Sequence, residues 1–219
     1  MLSFTEENYL KALLQLQLGE GSKDEVGTNE LANHLSVKPA TANNMLKKLK
    51  EKSLVDYEKY GKITLTSAGK KLAIDVLRKH RLWETFLYEK LEFSWDEVHE
   101  IAEQMEHIYS RKLVDKLDKF LDYPEFDPHG DPIPNRNGQL PKNVKTTLSQ
   151  IAVGKTCRVA AVKDTSAVFL QYLRQLKVNI GAKIKVIEKV VYDGSMVIQI
   201  GKDFKTTVSD KFAESLLVD

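Results

Sequence analysis

The sequence predicts a mainly α-helical chain that ends in a small β domain, a barrel of short strands. Three observations predict it. Apolar residues recur at helical spacing, in successive runs with recognisable caps, as far as about Asp122. Five of the six prolines then lie between Pro124 and Pro141, together with Gly130 and Gly138, where helix cannot persist. Beyond about Leu148, short β-rich runs are punctuated by Gly154, Gly181, Gly194 and Gly201.

The elements follow in order. Ser3-x-x-Glu6 is a capping box that opens an amphipathic helix, TEENYLKALLQLQLG, with Tyr9, Leu10, Leu13, Leu14, Leu16 and Leu18 on its buried face. Gly19 and Gly21 end it. Thr28 caps a short second helix, NELANHL. A third, SVKPATANNMLKKLKEKSL, has Pro39 in its first turn and Met45, Leu46 and Leu49 at core spacing. LVDYEKYGKITLT alternates around Gly61, a strand–turn–strand signal. A long helix spans about Ser67 to Leu91. Ser94-x-x-Glu97 is a second capping box and starts the next helix, and a further helical pattern runs to about Asp122. In the β-rich tail, TCRVAAV, KIKVIEKVVY, MVIQIG and KTTVSD read as strands, interrupted by a helix from about Ser166 to Leu176.

Bulk properties narrow the function. With 219 residues and 42% hydrophobic content the chain can fill ordinary globular cores. It has no run of about 18 apolar residues that would span a membrane. The opening Met-Leu-Ser-Phe-Thr-Glu-Glu lacks a basic segment followed by an apolar one, so no secretory signal is expected. The one cysteine, Cys157, fits a reducing cytoplasm and reads as a small buried hydrophobe. No Gly-rich phosphate loop, His-Glu-x-x-His or nucleophile motif is present, so no enzyme class is indicated.

Net charge is only +2, but its distribution is uneven. Residues 1–37 carry two Lys and six acids, whereas residues 38–71 carry nine Lys and three acids. Three short helices followed by a β-ribbon describe a winged helix-turn-helix, and the basic block falls on its third helix and wing. In that arrangement the third helix enters the major groove N-terminus first, presenting Lys38, Pro39, Ala40, Thr41, Asn43, Asn44 and Lys47. Asn suits bidentate pairing with adenine, and Ala40 suits a thymine methyl. Lys38, Lys47 and Lys48, with Lys59 and Lys62 on the wing, are placed to neutralise phosphates of double-stranded DNA.

A second constellation lies in WDEVHEIAEQMEH, residues 95–107. At about 100° per residue, His99, Glu103, Glu106 and His107 share one arc that abuts the apolar stripe Val98, Ile101, Ala102, Met105 and Tyr109. In RKHRLWETFL, His80 and Glu84 share a helix face, and PEFDPHGDPIP adds Asp127 and His129. Partly buried carboxylates and imidazoles need partners, which a divalent cation supplies. An oxygen and nitrogen donor set without thiolate suits Mn²⁺ or Fe²⁺.

TEENYLKAL, PATANNMLKKLKEKSLV, ITLTSAGKKLA, RKHRLWETFL, WDEVHEIAEQMEHIYS and DPHGDPIP occur in one order over about residues 5–134. There the chain resembles the diphtheria toxin repressor and manganese transport regulator family of metal-dependent transcriptional regulators. The tail resembles that family's SH3-like domain more loosely. The resemblance implies a winged helix-turn-helix DNA-binding domain over 1–72, an all-helical dimerisation and metal-binding domain over 73–126, a linker over 127–147 and an SH3-like β-barrel over 148–219. It implies a homodimer reading a palindromic operator, without membrane attachment, and repression of metal-uptake genes.

By position, the family's primary metal site takes Asn8, Glu103, Glu106 and His107. The second site takes His80, Glu84 and His99 in iron-type members. In manganese-type members it takes Glu84, Asp127 and His129 with one ligand from the tail, for which Asp164 is the candidate. His80 also serves the primary site in manganese-type members. Glu103 stands where iron-type members carry Cys and manganese-type members Glu, which favours the harder ion. Position 8 is usually Met or Asp, and Asn8 offers a neutral oxygen. Position 11 is Glu in some manganese regulators; Lys11 cannot ligate while protonated. The alternative function is a winged-helix regulator of a small organic ligand, with the Glu/His cluster only structural.

Overall fold

The computed structural model describes residues 2–19, 25–58, 62–141 and 146–219. Lys59, Gly21 and Gly61 lie outside the described residues. The chain divides into two compact units, residues 1–80, 103–114 and 134–139 in one and 81–102, 115–133 and 140–219 in the other.

The first unit begins with α1 (Phe4–Leu18), whose capping box forms as read: Ser3 N donates to Glu6 Oε2 at 2.9 Å and Glu6 N to Ser3 Oγ. The Lys52 ammonium beside Glu6, 2.7 Å away, holds that carboxyl below its usual range. Next come β1 (Val26–Gly27), α2 (Thr28–His34), α3 (Pro39–Glu51), β2 (Val55–Tyr57) and β3 (Lys62–Leu65). The strands pair antiparallel in the order β1-β3-β2, so the wing gains a short third strand from before α2. Thr28 is the first helical residue and not the cap; Gly27 caps α2, and its N–H reaches Glu30. One core joins Leu10 and Leu13 of α1 to Leu31 of α2, Leu46 and Leu49 of α3, Ile63 of β3 and Leu77.

Helix α4 (Ser67–Leu91) starts under a Thr66 cap, whose Oγ1 accepts from Gly69 N at 3.1 Å. Gly69 packs directly on the wing: a Cβ there would sit 1.9 Å from the Leu54 carbonyl oxygen. Helix α5 (Val98–Met105) is shorter than the sequence suggests. The Ser94–Glu97 box closes a turn, and helix begins only at Val98. It also stops at Met105, so Glu106 and His107 lie in the turn beyond it, not on the helical arc. Helix α6 (Arg111–Phe120) follows.

In the second unit, β4 (Thr146–Thr147), β5 (Thr156–Val162), β6 (Lys183–Lys189), β7 (Met196–Ile200), β8 (Phe204–Val208) and β9 (Leu216–Val218) form a sheet in the order β4-β9-β5-β6-β7-β8, with α7 (Ala167–Gln175) and α8 (Asp210–Ser215) between strands. The expected barrel does not close among the described residues. β5 pairs with β6 at one end and with β9 at the other, its register shifting between Val159 and Ala161. β4 contributes two residues, too little backbone to carry the ladder round to β8. The inward faces, including Val159, Ile184, Val186, Ile198 and Val218, enclose the core together with Trp95, Leu170 and Leu173.

Candidate metal centre

The first cluster is built on α1 in the first unit. Glu7 and Lys11 are spaced i, i+4, with Asn8 between them, so all three share a face. Glu7 is 4% and Lys11 3% exposed. Charged groups are rarely buried so fully unless paired, and here both face the turn after α5. Glu7 Oε2 lies 2.6 Å from His107 Nδ1, and the Tyr109 hydroxyl donates to Glu7 Oε1. Burial first, and that carboxylate second, push the Tyr109 phenol up to about 12. The Lys11 ammonium donates to Glu103 Oε1 at 2.6 Å and Glu106 Oε2 at 2.7 Å. His80 Nδ1 lies 2.6 Å from the same Glu106 Oε2 and 4.0 Å from Glu103 Oε1. Phe4 stacks on the His107 ring at 4.4 Å.

Two oxygens here, Asn8 Oδ1 and Glu106 Oε1, are buried with no hydrogen-bond partner. His107 Nε2 is 3.9 Å from that Glu106 oxygen. With Nδ1 held by Glu7, Nε2 is the nitrogen left to coordinate, the usual outer-carboxylate arrangement of a ligating histidine. Buried acceptors without donors are costly, and a divalent cation is the kind of partner such oxygens take. The donor set therefore fits the metal site that the sequence suggests.

The second cluster lies in the second unit. One donor atom from each of Glu84, Asp127 and His129 lies within 4.8 Å of the others. The loop 127–131 is shaped for this. Asp127 Oδ1 accepts from His129 N at 2.8 Å and Asp131 N at 2.9 Å. Gly130 takes the left-handed conformation, φ +81, and a Cβ there would meet the Ala160 carbonyl oxygen at 2.0 Å. His129 Nε2 donates to the Trp95 carbonyl at 3.1 Å, leaving Nδ1 toward Glu84, 3.7 Å away. Glu84 also receives His99 Nδ1 at 3.1 Å, whereas His80 serves the first cluster. Asp164 is not among the converging atoms; its Oδ1 accepts from Ser166 N at 2.9 Å, before α7.

Burial, reinforced by Asp131 and Glu84, pushes the Asp127 carboxyl up to about 8, although Arg81 lies 3.6 Å away. Burial opposes protonation of His129, but Glu84 and Asp127 outweigh it and raise the imidazole to about 8. The signs agree. Asp127 holds a proton in the fold that the unfolded chain releases near the ordinary carboxyl value of 3.8, and His129 holds one that the unfolded chain releases near 6.5. Each contribution is complete below the unfolded value and lost as pH rises through about 8. With chelator present, the melting temperature is expected to fall from pH 6 to about pH 8 and to level off above it. Asp127→Asn should flatten that fall, which differential scanning fluorimetry across pH reads directly.

Lys38, at the N-cap of α3, and Pro39, Ala40, Thr41, Asn44, Lys47 and Lys48 on the helix are exposed. Asn43 is engaged internally: Nδ2 donates to the Pro39 carbonyl at 2.9 Å and Oδ1 accepts from the Tyr57 hydroxyl. Lys62 forms an ion pair with Glu25. Sequence reasoning missed Glu7, Tyr109 and Arg81 as parts of the clusters, and treated Lys11 only as a residue that cannot ligate. Glu7, Leu10, Lys11 and Leu14 lie on one helical stripe, so two charges within an apolar face were the available signal.

Residues 1–63 match the family model described as iron dependent repressor, N-terminal DNA binding domain. Residues 66–135 match its metal binding and dimerisation domain, and residues 146–219 the FeoA domain. The chain is 34% identical to a solved manganese-dependent transcriptional repressor in complex with manganese, covering 97% of this chain and 98% of that one with a TM-score of 0.87. It is 30% identical to ScaR with bound Cd²⁺, covering 98% of each chain with a TM-score of 0.80. It is 32% identical over 134 residues to the iron-dependent repressor IdeR of Mycobacterium tuberculosis, covering 59% of this chain and 55% of that protein. A 73-residue stretch is 42% identical to a probable metal transport system membrane protein of Chlamydia trachomatis, of which it covers 16%. The chain thus spans about half or less of the length of these curated relatives. Its matched domains, in this order, and its near-complete likeness to the manganese-dependent repressor establish that the chain belongs to the iron-dependent repressor family, which includes the diphtheria toxin repressor.

Proposed function

We propose that the chain is a metal-dependent transcriptional repressor, activated by Mn²⁺ or Fe²⁺, that binds a palindromic operator as a homodimer and controls metal-uptake genes. The observation that carries this is a pair of buried oxygens without hydrogen-bond partners: Glu106 Oε1, 3.9 Å from His107 Nε2, and Asn8 Oδ1 on α1, a helix that shares a core with α3. Relatives named for manganese and iron dependence support the choice of ions, and the match to a dimerisation domain supports the homodimer.

Asn8, Glu103, Glu106 and His107, with His80 beside them, would hold one ion. Glu84, Asp127 and His129 would hold another, with His99 and Asp164 as further candidates. A bound divalent cation supplies the positive charge and coordination that these acceptors lack. The residues themselves do the rest. Glu7 orients the His107 ring, and Asn8 carries the tie into α1. Leu10 and Leu13 of α1 pack in one core with Leu46 and Leu49, so the pose of α3 follows that of α1. Charge neutralisation at the cluster favours one pose of the reading head over others. Two heads held at one spacing bind two half-sites together. The functional division taken here is 1–72 for reading DNA, 73–126 for dimerisation and metal, 127–147 as linker and 148–219 as the SH3-like domain.

The test is fluorescence anisotropy of labelled operator DNA, titrated with Mn²⁺ or Fe²⁺ and then with chelator. Affinity should rise with metal and fall with chelator; an affinity indifferent to both removes the sensor reading. Asn44→Ala should lower operator affinity roughly 5- to 150-fold at every metal concentration, the cost of about 1–3 kcal/mol for a lost bidentate base contact. Its binding to non-specific DNA should change little, because Lys38, Lys47 and Lys48 remain.

A further inference from the structure

We infer that Lys11 is a built-in cation that fills one half of a two-cation cluster, so that the cluster takes a single divalent ion, in the other half. This rests on reading the cluster as a metal site.

Glu106 divides the cluster. Its Oε2 faces Lys11 Nζ at 2.7 Å and His80 Nδ1 at 2.6 Å. Its Oε1 is buried without a partner and faces His107 Nε2 at 3.9 Å. The two oxygens of one carboxylate thus look into two differently furnished places. The Lys11 side is complete: the ammonium also meets Glu103 Oε1 at 2.6 Å, and His80 Nδ1 lies 4.0 Å from that same oxygen. Two carboxylate oxygens and an imidazole nitrogen are the donors that hold a hard divalent ion, and here they gather about an ammonium. The other side, with Glu106 Oε1 and His107 Nε2, holds acceptors and no built-in cation, and Asn8 Oδ1, one residue on from Glu7 along α1, is a further buried acceptor without a partner.

Lys11 is held in its half. Its side chain is 4% exposed, it rises from the same helix face as Glu7 and Asn8, and its charge is matched by Glu106, which is fully buried. Charges this deep are screened little by solvent, so a second divalent ion in that half meets direct repulsion. Lys11 also differs from an ion in being covalently fixed to α1. The Lys11–Glu106 tie between α1 and the turn after α5 is therefore present at any metal concentration, alongside those that Glu7 makes to His107 and Tyr109, and metal adds a further one.

The experiment counts ions at this cluster. The protein carries Asp127→Asn and His129→Ala to silence the second cluster, and Mn²⁺ is added to saturation. Bound manganese is measured by inductively coupled plasma mass spectrometry and by electron paramagnetic resonance. With Lys11 intact, one Mn²⁺ per chain and an uncoupled six-line spectrum are expected. Lys11→Glu replaces the ammonium with a ligand, and two Mn²⁺ with an exchange-coupled spectrum are expected. Lys11→Met, which removes the charge without adding a ligand, should also admit a second ion, held at least tenfold more weakly than in Lys11→Glu. One ion in all three proteins, or a coupled pair already present with Lys11 intact, would overturn the inference while leaving the metal site standing. No bound manganese in any of them would overturn both.

Discussion

Glu106→Gln should abolish metal-dependent operator binding, lowering the affinity at saturating Mn²⁺ roughly 100-fold or more. Loss of an outer partner of a ligand typically costs about 10- to 100-fold in metal affinity, and Glu106 is placed to do more than an outer partner does. It is fully buried, it contacts both Lys11 and His80, and its remaining oxygen is one of the two unpartnered acceptors. The amide keeps the shape but removes the charge that both halves of the cluster share. Lys11 keeps Glu103 at 2.6 Å, so the fold should persist. The contrast with Asn44→Ala is diagnostic. A cluster variant should lose the response to metal while keeping its weak metal-free binding, whereas a reading-helix variant should lose affinity with and without metal. Anisotropy titrations of both variants with and without Mn²⁺ separate the two; a normal metal response in Glu106→Gln would show that the cluster is only structural.

Gly69→Ala should destabilise the first unit by about 3 kcal/mol, the upper range for forcing atoms into a packed site. The clash is with backbone: the added Cβ would lie 1.9 Å from the Leu54 oxygen and 2.9 Å from its carbonyl carbon. That oxygen is not free to yield, because it accepts from Thr66 N at 3.1 Å, and Thr66 in turn caps α4. Either α4 shifts off the wing or the cap opens. Gly19→Ala is the control. Its Cβ would find its nearest neighbours at 3.5 Å, ordinary contact, and stability should change by less than about 0.5 kcal/mol. Urea denaturation followed by circular dichroism measures both; equal midpoints would refute the close approach.

Much of the fold was legible because it is local. Ser3-x-x-Glu6, Pro39 and the Ser67–Leu91 period each specify their element within a few residues, and α1, α3 and α4 form there. What was illegible depends on residues distant in sequence. β1 is two residues long and exists because β3 offers it an edge. Barrel closure turns on how far β4 and β9 reach, which no periodicity reports. The site divides in the same way. Glu103, Glu106 and His107 stood out beside an apolar stripe, His80 and Glu84 as one helix face, and Asp127 and His129 within the Pro/Gly-rich linker, and the structure gathers them into clusters. Their placement depended on where α5 ends. A helical arc would put Glu106 and His107 on the surface line of His99 and Glu103, whereas the turn after Met105 swings them onto α1. Glu7 was hidden, and the ion pairs of Lys11 with it, because an isolated charge on an amphipathic helix is ordinary until its partner, some hundred residues away, is known.

The second cluster carries its own optical probe. Trp95 lies with its ring 5.8 Å from that of His129 and nearly parallel to it, at 13°. The other tryptophan, Trp83, packs edge-on against Phe86. Indole emission is quenched by a neighbouring imidazolium and by a paramagnetic ion. Titration or occupancy of His129 therefore changes the light that Trp95 emits, and in Trp83→Phe that light comes from Trp95 alone. Filling of this cluster can then be followed in real time without any attached label, separately from events at Asn8 and Glu106.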